Sequence, residues 1–87
     1  MTNDMITFIA SASTAGFSGL CNLTANDGGF AADAIMSGEP CRISTAATVD
    51  GIRWYVHVDS IGQTSGACND ADIAADEASM MIALHSP

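Results

Sequence analysis

The stretch Arg42–Asp59 constrains the fold more than any other. It reads RISTAATV, then Asp50-Gly51, then IRWYVHVD. Two runs of β-branched and aromatic residues around an Asp-Gly pair predict a hairpin whose type I′ turn needs positive φ at both central residues. A two-residue loop there pairs Val49 with Ile52, Ala47 with Trp54, Thr45 with Val56 and Ile43 with Val58. The other face pairs Thr48 with Arg53, Ala46 with Tyr55, Ser44 with His57 and Arg42 with Asp59. One face is apolar and the other polar, and a slip of one residue would exchange them.

A lone hairpin is not stable in water, so its apolar face must be covered. The material available for that cover is small. Of 87 residues 48% are hydrophobic, but only one is Trp, one Tyr and three Phe. Burial stabilises by roughly 25 cal/mol per Å² of apolar area, and alanine supplies little area. A single domain over 1–87 is expected, stabilised further by contact with neighbours.

Taken in order, Met5–Ala10 (MITFIA) reads as an N-terminal strand, 5–10, apolar on both faces. Ser11–Leu23 fits a loop, a short strand around Phe17–Leu23, or a helix. Asn26-Asp27-Gly28-Gly29 is a turn by composition. A short helix over 30–37 (FAADAIMS) follows, with Gly38 suited to a left-handed C-terminal cap, and Glu39-Pro40 enters the hairpin extended. Ser60–Cys68 is a loop. A C-terminal helix over 70–85 is capped by Asn69 or Asp70, with Asp70, Asp72, Asp76 and Glu77 early and His85 at its end, as the macrodipole favours. Ile73, Met80 and Leu84, with Ala74, Ala78 and Met81, form its apolar stripe. The class is α+β: a small antiparallel sheet packed by helices.

Charge narrows the function. Ten acidic residues face two arginines and no lysine, for a net charge of −8. Direct nucleic-acid binding and anionic membranes are excluded as expected partners, because both depend on basic side chains. Without lysine there is no P-loop phosphate grip and no Schiff-base chemistry. The uncharged run Met5–Leu23 is too broken by Thr, Ser, Asn and Gly to predict a membrane span.

Cys21, Cys41 and Cys68 lack the paired spacing of zinc ligands, so no metal and no cofactor is expected. They read either as reduced buried thiols or as disulfide partners, with Cys41 and Cys68 at element edges within reach of a neighbour. Asp70, Asp72 and Asp76 lack the glycine and the glutamate of a calcium loop. Asn22-Leu23-Thr24 fits a glycosylation sequon, which matters only in a secreted chain, and residues 1–4 lack a basic signal-peptide start. Ser44, His57 and Asp59 share one strand face, but a catalytic reading needs a pocket around them.

The expected function is noncatalytic: a structural or interaction subunit of a larger assembly, such as a capsid cement or decoration protein of a virion. Its contacts are expected at Ile9, Arg53, Tyr55, Met80, Met81 and Leu84, with protein partners or further copies of the chain. The second class is an acidic inhibitor or DNA mimic. It requires Asp33, Asp50, Asp59, Asp70, Asp72, Asp76 and Glu77 to lie in one stripe.

Overall fold

A computed structural model describes residues 3–26 and 28–85. Two helices cover one face of a five-stranded antiparallel sheet, in the order α1 (Asn3–Ala15), β1 (Ser18–Asn26), β2 (Gly29–Met36), β3 (Glu39–Thr48), β4 (Gly51–Val58), β5 (Gln63–Thr64) and α2 (Ala71–His85). Spatial order follows chain order from β1 to β5. The α+β class and the last helix stand as expected; two elements change type.

The N-terminal segment is a helix, not a strand. The six residues MITFIA look two-sided when read alone, yet Met5, Phe8, Ile9, Ala12 and Ala15 recur at helical spacing through the small-residue run that follows. Phe8 and Ala12 are buried, Met5, Ile9 and Ala15 pack against the core, and Ile6 is left exposed. The helix stops at Gly16, whose φ is 120°. The Gly16 N–H donates to Ser13 O at 3.2 Å and the Phe17 N–H to Ala12 O at 3.1 Å, the two bonds of a Schellman cap.

The segment expected as a short helix over 30–37 is instead β2. Phe30, Ala32, Ala34 and Met36 face the helices while Asp33 and Ile35 alternate outward, a period of two. Gly38 caps no helix. It closes a hairpin with Ser37, the two having φ of 80° and 53°, and Met36 pairs with Glu39 across them. The positive-φ pair expected at Asp50-Gly51 therefore sits one hairpin earlier.

At the β3–β4 turn only Gly51 has positive φ, 129°. The loop is Val49-Asp50, and Thr48 pairs with Gly51. The Thr48 hydroxyl donates to Gly51 O at 2.9 Å and accepts the Asp50 N–H at 3.3 Å, binding both ends of the turn. The register moves by two residues from the expected one: Ile43 faces Val56, Thr45 faces Trp54 and Arg42 faces His57. A shift of two preserves the faces because side chains alternate. Cys41, Ile43, Trp54, Val56 and Val58 are all buried beneath the helices.

Residues 63–68 are not a loose loop. They run along the outer edge of β4, with the buried Ser65 exchanging bonds with Val56 (Ser65 N–H to Val56 O 2.8 Å; Val56 N–H to Ser65 Oγ 3.0 Å) and Cys68 bridging to Trp54. At the opposite edge β1 carries two irregularities of register, with positive φ at Gly19 and Asn22, which bend a strand away from further pairing. Of the expected turn at residues 26–29, Asp27 lies outside the described residues.

Gly29 is where the two hairpins lock. The Phe30 N–H donates to Thr45 Oγ1 at 3.0 Å, and the Ala47 N–H reaches Gly28 O at 2.5 Å. A Cβ on Gly29 would lie 1.7 Å from Thr45 O and 2.6 Å from its carbonyl carbon. Backbone cannot yield as a flexible side chain does, so Gly29→Ala is expected to lower the unfolding free energy by about 2–4 kcal/mol. Gly66→Ala, into open space without positive φ, should change it by less than about 0.5 kcal/mol. Urea titrations followed by Trp54 fluorescence measure both.

Candidate functional site

The last helix shows its large side chains to solvent. Asp70 caps it, its Oδ1 accepting the Ile73 N–H at 3.0 Å. The stripe that meets the sheet is alanine: Ala71, Ala74, Ala75 and Ala78 are buried, at the spacing of one helix face. Ile73, Met80 and Leu84 were expected to form one apolar stripe with Ala74, Ala78 and Met81. They lie on the reverse face, 42%, 57% and 76% exposed. Met81 and Ile82 pack at the margin of the core. The outward row spans roughly 16 Å along the helix at 1.5 Å per residue. Glu77, one turn from Ile73, lies in it, and Asp72 and Asp76 are exposed beside it.

The expected contact residues therefore divide. Met80 and Leu84 are open on the α2 face, while Ile9 and Met81 are half-buried and engaged with the core. Arg53 and Tyr55 lie on the opposite, uncovered face of the sheet. Arg53 donates to Asn69 Oδ1 and lies 3.9 Å from the Asp50 carboxylate, which ties it to the edge of the sheet. Arg42 does not pair with Asp59. It donates to Asp33 Oδ1 at 3.1 Å, while Asn22 Nδ2 donates to Asp33 Oδ2 at 2.7 Å, so one carboxylate joins three strands. The pair is exposed, worth about 0–1 kcal/mol.

The three residues of the catalytic reading come apart in the observed register. Ser44 faces Tyr55, not His57. His57 Nδ1 is 2.8 Å from Thr64 Oγ1, and its Nε2 is 3.8 Å from Asp59 Oδ1. Neither the cleft between α1 and the hairpin tips nor the one between α1 and α2 is lined by them. The carboxylates of the DNA-mimic reading are also dispersed. Asp33 is bound up on the sheet, Asp50 and Asp59 flank opposite ends of β4, whose length is roughly 23 Å at strand rise, and the rest cap α2 or lie on it. That distribution counts against a single phosphate-like stripe. No group of three His, Cys, Asp or Glu fit to hold a metal occurs among the described residues, and none of their helices is long and apolar enough to cross a membrane.

All three cysteines are free thiols. Cys41 and Cys68, expected either as buried thiols or at element edges within reach of a neighbour, are core residues. Burial, with the Asp59 and Asp33 carboxylates adding, pushes the Cys41 thiol from 9.0 up to about 11, and burial raises Cys68 in the same direction. Only Cys21, on β1, is exposed.

A second feature escaped the sequence reading because α1 makes it. Phe8 stacks on Phe30 and on Trp54, with ring centroids 5.6 and 5.4 Å apart. Between α1 and the tips of the two hairpins opens a cleft of about 500 Å³, lined by these rings and by Asp4, Thr7 and Ser11. A smaller cleft of about 300 Å³ lies between α1 and the start of α2, beside Thr14, Asp70 and Asp72. The apolar spacing of Phe8 with Ala12 was the available signal, hidden by its overlap with a period of two.

Comparison with protein-family models, with curated proteins and with solved structures finds no match to this chain.

The thiols yield a direct test. A disulfide-exchange reagent should modify about one thiol in the native protein, Cys21, and all three in urea. A thiol whose folded value is raised adds stability that is whole below 9.0 and is lost as pH rises through about 11. The urea midpoint should therefore fall across that window. Cys41→Ala should be less stable at neutral pH and show a shallower fall, with the remainder carried by Cys68.

Proposed function

We propose that this chain is a noncatalytic interaction subunit of a larger protein assembly, attached through the outward face of α2. One observation carries the reading: the helix turns its alanines inward and Ile73, Met80 and Leu84 outward. Residues at these intervals are the anchors by which an amphipathic helix enters a groove. The row mixes apolar side chains with Glu77, Asp76 and Asp72, so the matching surface has an apolar centre and a basic rim. A second copy meeting it in parallel along the whole row would set these acids near one another, and like charges at an interface are costly. The same surface also supports the acidic character of the chain, which keeps it from nonspecific contacts.

Within this class, a capsid cement or decoration protein of a virion is the form we favour. It rests on traits of the sequence alone: a small chain, a composition rich in alanine, serine and threonine, and an odd number of cysteines.

Sedimentation of the chain in extracts of its native source tests the proposal. It should travel with a much larger particle and leave it as salt is raised. The double variant Met80→Lys/Leu84→Lys, whose cations oppose a basic rim and suit the helix C-terminus, should sediment alone, while its unfolding free energy falls by no more than about 0.5 kcal/mol because both side chains are exposed. A chain that travels as a monomer in its native extract ends the proposal.

A further inference from the structure

The cleft under α1 plays no part in that attachment, and its chemistry points to a ligand of its own. Its walls are Phe8, Phe30 and Trp54. Its rim is one flank of α1, where Asp4, Thr7 and Ser11 follow at helical intervals. Among its described lining residues Asp4 carries the sole formal charge; neither arginine and neither histidine reaches it. The whole chain carries −8. At about 500 Å³ the space is of the size that holds a small organic molecule.

These features select by charge and shape together. Among the described lining residues, an anion entering the cleft would meet the Asp4 carboxylate and no cationic side chain. A cation with an aromatic ring has a place for each part: the ring against the apolar lining, the ammonium near Asp4. The Ser11 hydroxyl of the rim can accept one of its N–H groups. We propose that this cleft binds a small aryl-substituted organic cation of the arylalkylammonium class. It is independent of the α2 surface, so either proposal can fail without the other.

Phenethylammonium is the probe, with phenylacetate and 2-phenylethanol as its anionic and neutral counterparts. Trp54, the one tryptophan of the chain, reports from the cleft wall by fluorescence, and amide shifts in a ¹H–¹⁵N spectrum locate the site. Phenethylammonium should bind saturably, move the Trp54 emission, and shift amides of Thr7, Ser11, Gly29 and Ala47. The neutral probe should bind about fivefold more weakly, a difference typical of one exposed ionic contact, and phenylacetate weaker still. Asp4→Asn should cost phenethylammonium about the same factor and leave 2-phenylethanol unchanged. Ala47→Phe, which fills the mouth from an exposed position, should abolish binding of both. Three results would each overturn the proposal: no saturation by the folded parent protein, equal binding of all three probes, or shifts confined to the acids of α2. The probe series needs no variant, so a misfolded mutant does not blunt it.

Discussion

The fold depends on how Phe8 is seated. Phe30 on β2 and Trp54 on β4 stand on the same face of the sheet, with one strand between them. That strand offers Thr45 at the intervening position, a residue small enough to leave room. Phe8 from α1 stacks on both rings. Aromatic contacts of this kind add about 0.5–1.5 kcal/mol each beyond the area they bury. In a chain with so few large side chains, this stack joins the N-terminal helix to the sheet. The Gly29–Thr45 crossing holds the two hairpin tips that carry Phe30 and Trp54, so the sheet and the helix are fixed by one junction. The cleft is the space left beside it.

Alanine decides the rest. Ala12 on α1 and Ala71, Ala74, Ala75 and Ala78 on α2 let the helices come close to the sheet and to each other. Close approach gains dispersion contacts at little cost in side-chain entropy. It also removes any need for the larger residues of α2 inside, and they are displaced to its back. The outward row is thus a consequence of how the core is filled. The same economy hides Cys41 and Cys68, which serve as small apolar residues with thiols that resist ionisation.

Parts of this were legible in the residues. The two faces of the β3–β4 hairpin could be assigned, because alternation survives a shift of two, although the turn and its partners could not. Thr48 moved the loop by bonding both its ends, a side-chain effect that turn composition does not reveal. The last helix was legible from its cap, its charges and its length. Its inward face was not: hydrophobicity ranks Ile, Met and Leu above alanine, while a close-packed interface ranks alanine first. Six residues of MITFIA satisfy either period, and FAADAIM places small residues where a helix or a strand would accept them.

Some features were thus set by the chain's local pattern alone: an acidic protein without lysine, a hairpin sorted into two faces, and a terminal helix with a carboxylate cap. Those rest on charge count, side-chain alternation and neighbouring backbone groups, which need no distant partner. Packing alone decided that the first segment coils and the second extends, which side of α2 meets water, and that three aromatic rings line a cleft. Each of these turns on contacts between residues far apart in sequence, where the space available outweighs the preference of any single segment.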